Sequence, residues 1–322
     1  MRDYQIISDS SCDLAPELAN EKGIDIIPFY VSFDETTYQK EREELSVEDF
    51  YQKVLDNPKV FPKTSLPPVG DFADRFRYHI ERGLDVLCIC ISTKFSGSYN
   101  SACTARDLVL EEYPDANIIV LNSIVNTCLQ GLVVLEAARM KEDGYELEEV
   151  ARRLDDIKNS GRIFFTIGSI DYLAHGGRIG KLAGLAASTL GLKPLILEKE
   201  GEIFSEGICR SRKKSLLKVK NLTKEYFTKI KEDPATYTIT IGYGHNLAEA
   251  EAFRDELIAD LDCGLTRDDI PLRRIGATIA VHTGPEALGV CILRRYDVPQ
   301  PQTEGMLASI LNKEPKRAPK TI

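Results

Sequence analysis

Short apolar runs alternate with helix-like segments along the first half of the chain. The run at residues 85–91 (DVLCICI) is continuously apolar and of strand length, and a shorter run covers residues 117–121. Segments with helical spacing of their apolar positions follow at residues 99–112 and 129–143. Strands that are apolar on both faces and alternate with helices are typical of parallel sheets. This half therefore predicts an α/β domain with a parallel sheet.

The second half predicts a different arrangement of strands. Residues 195–208 contain two apolar stretches separated by Glu200-Gly201, the pattern of a hairpin and hence of antiparallel strands. A helix rich in small residues is expected over residues 183–192. We expect an α/β protein with a parallel-sheet N-terminal domain and a mixed-sheet C-terminal domain. Their bounds are residues 1–160 and 161–300, followed by a flexible tail over 301–322.

The composition fits two globular domains. Hydrophobic residues make up 43% of the 322 residues and charged residues 28%, a balance typical of folded proteins rather than of disordered or membrane chains. No run approaches the roughly 18 apolar residues of a membrane span, and the chain starts directly on a strand-like segment rather than a signal peptide. We expect a cytoplasmic protein with no stable membrane insertion.

The net charge and the cysteines argue against several kinds of partner. A net charge of −9 disfavours binding to nucleic acid, so any anion site must be local. The eight cysteines are scattered and form no C-x-x-C pair, which predicts free thiols and no metal site.

Small hydroxylated residues follow the buried strand at 85–91. Ser92 begins this loop, and Ser96 and Gly97 stand immediately before the next helix, where an α/β sheet commonly binds anions. An ordinary helix cap explains the same residues equally well. A second hydroxyl cluster, Thr64-Ser65, lies among three prolines that hold its loop extended. The loop after the first strand, Asp9-Ser10-Ser11, is expected to face one crevice together with these two loops.

Three basic residues are further candidates. The apolar run at 273–282 predicts a strand that ends at His282, before a Thr-Gly-Pro turn, and a cleft ligand and a structural histidine are equally good interpretations. Arg178 lies among glycines that permit close approach of another molecule. Arg210 opens the basic run RSRKK, which fits a solvated face or, on an acidic protein, a phosphate or an acidic partner.

The common catalytic signatures are missing from the sequence. It contains no G-x-S-x-G elbow, no G-x-x-x-x-G-K-[ST] phosphate loop and no H-E-x-x-H helix. The segment GYGHNL at 242–247 lacks the third glycine of a dinucleotide fingerprint. The chain therefore has no recognisable nucleotide site of its own.

Eight motifs spread over nearly the whole chain resemble the DegV family, whose members are known as fatty-acid-binding proteins and as substrate-carrying subunits of bacterial fatty acid kinase. In chain order these motifs are IISDSSCDL, KTSLPPVGDF, CISTKFSGSYNSA, LQGLVVLEAARM, DYLAHGGRIGK, LGLKPLILEKEGEI, RSRKKSL and IGATIAVHTGPEALG. The chain departs from the family pattern at Glu286, where the turn after HTGP commonly carries a glycine.

The resemblance implies a two-domain DegV-like fold with a long-chain fatty acid in a tunnel between the domains and no other cofactor. It implies that Thr64, Ser96 and His282 meet the carboxylate, with Ser65, Ser92 and Gly97 as their neighbours. It also implies that Arg178 and Arg210 dock an ATP-dependent fatty acid kinase subunit or handle the phosphoryl group.

Two other functions remain open on the sequence. One is a stand-alone serine hydrolase or acyltransferase in which Ser96 or Ser92 is the nucleophile and His282 the base. The other is a lipid sensor without a kinase partner.

Overall fold

A computed structural model describes residues 3–180, 182–183 and 191–298. Most of the helix expected over 183–192, and all of the tail expected over 301–322, lie outside these residues. The strands are β1 (Tyr4–Asp9), β2 (Ile24–Ile27), β3 (Tyr30–Ser32), β4 (Gln39–Lys40), β5 (Lys63–Ser65), β6 (Asp85–Cys90), β7 (Ile118–Asn122), β8 (Arg162–Thr166), β9 (Lys193–Lys199), β10 (Glu202–Cys209), β11 (Tyr237–Tyr243), β12 (Leu272–Arg274) and β13 (Leu288–Arg294). The α-helices are α1 (Pro16–Glu21), α2 (Val47–Asp56), α3 (Val69–Ile80), α4 (Ser98–Glu112), α5 (Thr127–Glu142), α6 (Leu147–Ile157), α7 (Asp171–His175), α8 (Arg212–Ile230), α9 (Leu247–Leu261) and α10 (Ala277–Thr283).

The first sheet is parallel, as predicted, with strand order β2-β1-β6-β7. Alternate residues of β6 enter different cores: Cys88 packs with Phe72 of α3, whereas Leu87 packs with Leu132 of α5. This double coverage explains why the sequence of β6 is apolar without alternation. Strands β2 and β6 lie on opposite sides of β1, so the chain connections leave β1 in opposite directions. A crevice therefore opens at the carboxyl ends of β1 and β6.

The second sheet is mixed, also as predicted, with strand order β10-β9-β8-β13-β11-β12. Its neighbouring strands are antiparallel except for β11 and β12. One face is covered by α8 and α9 through side chains such as Val219 and Phe253. The other face meets α5, which also packs on the parallel sheet. Helix α5 therefore connects the two sheets and fixes their relative position.

A small antiparallel sheet with strand order β4-β3-β5 carries the Thr64-Ser65 segment. The β-branched and aromatic run at residues 24–33 divides into β2 and β3. Pro28 lies between the two strands and has no N–H group with which to continue the ladder. The division allows β3 to pair with β5 and to hold Thr64 opposite Val31.

The prediction of a strand over 273–282 is wrong. Only Leu272–Arg274 is a strand, and Ala277–Thr283 forms helix α10. Short apolar runs do not distinguish a buried strand from a buried helix by periodicity. The helix begins where it does because distant carboxylates bind its first N–H groups: Gly276 N donates to Asp13 at 2.9 Å and Thr278 N to Glu41 at 3.2 Å.

None of the helices within the described ranges combines the length and the apolar character needed to cross a membrane. The same residues contain no group of three metal-ligating side chains arranged to hold an ion. All eight cysteines lie in the described ranges, and none is paired in a disulfide.

Candidate functional site

A cavity of about 260 Å³ lies where the carboxyl end of the parallel sheet meets the inner face of the mixed sheet. Its lining is mainly apolar and comes from both halves of the chain. Its apolar lining residues include Ile91, Ile163, Phe165, Ile203, Ile275 and Ile279. An enclosed apolar space with few polar groups is typical of a small-molecule site.

The floor of the cavity is one face of the mixed sheet. Phe165 of β8 is paired with Gly289 of β13, and Ile163, two residues earlier on the same face, is paired with Cys291. A Cβ atom at Gly289 would lie 2.4 Å from Phe165 Cβ, so only glycine lets β13 lie this close to β8 at Phe165. This part of the sheet thus presents an apolar surface to the cavity.

Thr64 and His282 meet at one side of the cavity. Thr64 Oγ1 lies 3.2 Å from His282 Nε2, and both residues line the cavity. Strand β5 positions the threonine and the last turn of α10 positions the histidine. The backbone of Gly176 packs against the ring, since a Cβ atom there would lie 2.1 Å from His282 Nδ1.

Burial keeps the His282 imidazole neutral. It lowers the pKa of His282 to about 3, and the positive charges of Arg178 and Lys63 contribute to the same direction. A neutral imidazole carries one N–H donor and one acceptor nitrogen. Nδ1 is buried and has no hydrogen-bond partner within the described part of the chain. His282 therefore presents Nε2 towards Thr64 and the cavity as a polar but uncharged group.

The loop after β6 brings only one of its three predicted residues to the cavity. Ser96 lines it, and its Oγ accepts a hydrogen bond from Ser98 N at 3.2 Å. Ser92 is 1% exposed and does not line the cavity, because its Oγ faces the loop and accepts from Lys94 N at 3.2 Å. Gly97 caps α4, also outside the lining. Ser92 and Gly97 shape the loop that presents Ser96.

The Asp9-Ser10-Ser11 segment does not face the cavity, contrary to expectation. Asp9 is fully buried and accepts hydrogen bonds from Ser98 Oγ (2.7 Å), Ile91 N (3.0 Å) and Gln130 Nε2 (2.9 Å). Desolvation raises the pKa of this carboxyl group, and the hydrogen bonds oppose that rise. Asp9 therefore stabilises the start of α4 through Ser98 rather than binding a ligand.

The two predicted arginines lie in different places. Arg178 is exposed and lines the cavity, where its Nε donates to Phe95 O at 3.1 Å and its Nη1 to Gly176 O at 2.6 Å. Arg210 is exposed beyond strand β10 and is not part of the lining. Ser65, the remaining predicted neighbour, lines the cavity from the end of β5.

Sequence reasoning missed Glu198 and Asn126, which also line the cavity. Asn126 Nδ2 donates to Glu198 Oε2 at 2.9 Å. Burial raises the pKa of Glu198 to about 8, and the hydrogen bonds from Asn126 only partly oppose the rise. A signal was present, because Glu198 stands two residues after Ile196 in the predicted hairpin and so shares its inward face.

Together the fold and the cavity define an α/β protein that binds a small, mostly apolar molecule. The sequence matches the model of the DegV family, described as a family of uncharacterised proteins, over residues 3–295. The chain belongs to the DegV family, and the resemblance read from the eight motifs is confirmed.

Relatives of known sequence and structure agree in length and fold. A DegV domain-containing protein of Clostridium perfringens is 31% identical over 295 residues, which cover 91% of this chain and 98% of the relative. A crystal structure of a stearic-acid-binding protein from Eubacterium ventriosum is 44% identical, has a TM-score of 0.86 and matches 91% of this chain and 99% of its own. A DegV family protein from Thermus thermophilus, described for its fatty acid binding, is 29% identical with a TM-score of 0.79 and matches 91% of this chain and all of its own.

Proposed function

We propose that this chain binds a long-chain fatty acid in the cavity, enclosed by the domains at 1–160 and 161–300, and presents its carboxylate to an ATP-dependent kinase. The observation that carries the proposal is the meeting of Thr64 and His282, both polar and uncharged, at the side of a mainly apolar cavity. The bound fatty acids of the relatives from Eubacterium ventriosum and Thermus thermophilus support it.

Burial of the acyl tail supplies the affinity. About fourteen methylene groups at about 0.8 kcal/mol each give roughly 11 kcal/mol of gross driving force. Association and ordering costs reduce this figure. Ile163 and Phe165 on the sheet face offer apolar side chains to an alkyl chain.

The head group is held by neutral donors. A buried carboxylate requires hydrogen bonds, each contributing about 1.5 to 3 kcal/mol to a charged acceptor. Thr64 and Ser96 offer hydroxyl groups and His282 offers an imidazole N–H. Arg178 adds a positive charge at the exposed rim, and one carboxylate oxygen stays available for phosphorylation.

The proposal assigns ATP, magnesium and phosphoryl transfer to the partner kinase. It rests on the missing nucleotide loop in the sequence and on exposed arginines at the rim and beyond β10, Arg178 and Arg210. A cytoplasmic location accords with this role, since the kinase draws on cytoplasmic ATP.

Native mass spectrometry tests the binding step. Protein purified from bacteria should carry a mass increment of one fatty acid, and delipidated protein should take up stearic acid. A protein that is consistently empty and has no affinity for fourteen- to eighteen-carbon acids would contradict the proposal.

Three substitutions separate retention of the lipid from its presentation to the kinase. Ser96→Ala or His282→Ala should weaken lipid retention, because each removes a donor to the carboxylate. Arg210→Ala should leave lipid bound and lower acyl-phosphate formation in an assay reconstituted with the kinase. Loss of lipid from the Arg210 variant would show that its role is misassigned.

The hydrolase alternative finds less support in the geometry. A catalytic histidine is oriented by a third group, usually a carboxylate. The buried Nδ1 of His282 has no such partner among the residues that the structure describes. Labelling with a fluorophosphonate discriminates the two functions, since covalent modification of Ser96 would favour the enzyme.

A further inference from the structure

A buried carboxyl group lies in the wall of the apolar cavity. Glu198 is 2% exposed, and its Oε2 accepts a hydrogen bond from Asn126 Nδ2 at 2.9 Å. Its Oε1 is buried and has no hydrogen-bond partner within the residues described. A buried polar atom without a partner is costly, so Oε1 is available to bond a polar group of a bound molecule.

The strand register places Glu198 away from His282. Glu198 is paired with Ile163 on β8, which is paired in turn with Cys291 on β13. The paired residues Gly289 and Phe165 lie two positions nearer the turn that follows His282 than Cys291 and Ile163 do. At about 3.3 Å per residue, this separates the two pairs by about 6.6 Å along the strand. With the carboxylate at His282, Glu198 therefore contacts the acyl chain at a distance from the head group.

The chemistry of the Glu198–Asn126 pair fits an uncharged oxygen atom on the acyl chain of the ligand. Burial favours the protonated form of Glu198, which both donates and accepts a hydrogen bond. A saturated alkyl chain leaves Oε1 unsatisfied. A second carboxylate on the ligand would bring an uncompensated charge into an apolar wall, whereas a hydroxyl group exchanges hydrogen bonds without charge.

We infer that Glu198, oriented by Asn126, recognises a hydroxyl group carried along the acyl chain, so that the preferred ligand is a hydroxylated long-chain fatty acid. The inference rests on the proposed function and deepens it, because it names the class of fatty acid. Glu198 acts on ligand selection and not on the carboxylate.

A positional series tests the inference. Affinities of the delipidated full-length protein are measured for stearic acid and for hydroxystearic acids with the hydroxyl at successive carbons. We expect one internal position to bind about tenfold more tightly than stearic acid, equal to about 1.4 kcal/mol. A hydroxyl next to the carboxylate should give no gain, because it cannot reach Glu198.

Three variants assign the preference to its residue. Glu198→Leu should abolish the preference, so that no hydroxystearic acid binds more tightly than stearic acid. Glu198→Gln should retain part of it, since an amide also donates and accepts. Glu206→Gln, on an exposed residue of β10, is the matched control and should behave like the wild type.

The outcomes separate this inference from the proposed function. Equal affinity of the wild type for stearic acid and every hydroxystearic acid would overturn the inference and leave fatty acid binding intact. A preference that persists in Glu198→Leu would also overturn it. Failure of the wild type to bind any of these acids would instead overturn the proposed function. The wild-type series decides the question even if the leucine variant does not fold.

Discussion

Glycine 176 shows how one residue without a side chain positions another. Its backbone has φ −76° and ψ −8°, which alanine adopts freely, yet a Cβ atom would lie 2.1 Å from His282 Nδ1. The imidazole ring has no flexible end that could give way. The close approach of Gly176 therefore fixes where His282 Nε2 lies relative to Thr64.

Gly176→Ala should displace the His282 ring and weaken fatty acid binding about 10- to 100-fold, the value of one hydrogen bond to a carboxylate. The fold should persist, because the backbone conformation is unchanged. Isothermal titration with stearic acid measures the effect. Gly70→Ala is the control, since a Cβ atom there meets no atom within 4 Å. Unchanged affinity in Gly176→Ala would show that His282 does not hold the carboxylate.

Glu198 and His282 make the free energy of unfolding depend on pH in opposite directions. His282 has a pKa of about 3 when folded and 6.5 when unfolded, so its burial lowers stability as pH falls below about 6.5. Glu198 has a pKa of about 8 when folded and 4.5 when unfolded. Between these values the folded state holds a proton that the unfolded state has released, so stability falls as pH rises.

Glu198→Gln should remove the loss of stability that Glu198 causes as pH rises. The variant should gain free energy of unfolding relative to the wild type as pH rises from about 5 to about 8, by on the order of 3 kcal/mol. Urea unfolding of ligand-free protein at both pH values measures the difference. A constant difference between variant and wild type would mean that Glu198 is ionised in the folded protein.

At the residue scale, the sequence identified side chains but not their surroundings. Thr64, Ser96 and His282, which line the cavity, could be singled out because each lies in a short motif with turn residues around it. Ser92 was misplaced because the direction of its side chain depends on the loop. Glu198 was missed because a single charged residue within a strand indicates a site only when it is known that its face of the sheet lines a cavity.

At the element scale, helix α10 depends on acceptors that are distant in the sequence. Glu41 accepts from Thr278 Oγ1 at 2.7 Å and from Ser10 Oγ at 2.6 Å, and it is 1% exposed. Asp13 accepts from Gly276 N and from Thr127 Oγ1. Two carboxyl groups of the first half thus hold the start of the helix that carries His282.

Thr278→Val should lower the free energy of unfolding by about 1 to 3 kcal/mol, because it removes a buried donor to Glu41 without changing side-chain size. Fatty acid affinity should fall as well, since α10 positions His282. Thr228→Val in α8 is the control, because its exposed hydroxyl donates only to Lys224 O of its own helix. Chemical unfolding of both variants compares them. An equal loss in the two would contradict a special role for Thr278.

The same contacts explain which elements the sequence could predict. Strands β1, β6 and β7 and their helices follow from local patterns and lie where expected. Helix α10 does not, because its start depends on Asp13 and Glu41, more than two hundred residues earlier in the chain. The division at Pro28 was hidden because both flanking segments favour strands.

At the scale of the whole molecule, a ligand in the cavity bridges the two halves of the chain. Ile91 and Ser96 come from the first half, whereas Ile163, Phe165 and His282 come from the second. The two-sheet architecture was predictable, because the continuous run in β6 and the hairpin at β9 and β10 indicate different sheets. The cavity between them was not, since it depends on how α5 spaces the sheets.

Stearic acid at a hundredfold excess over its dissociation constant should stabilise the delipidated protein by about 2.7 kcal/mol. Differential scanning calorimetry should show one cooperative transition that moves to higher temperature, because the ligand contacts both halves. If only one of two separate transitions moved, the fatty acid would bind within a single domain.

We expect the hydrogen bond from Arg178 to Phe95 O to slow the exchange of a bound fatty acid. It joins the loop before α4 to the segment after α7 across the rim of the cavity. A fatty acid that leaves past this rim would have to break the bond. Arg178→Lys keeps the charge but loses the rigid guanidinium fork. We expect release of labelled stearic acid into an excess of unlabelled acid to be about tenfold faster in this variant. Unchanged release would mean that cargo leaves by another route.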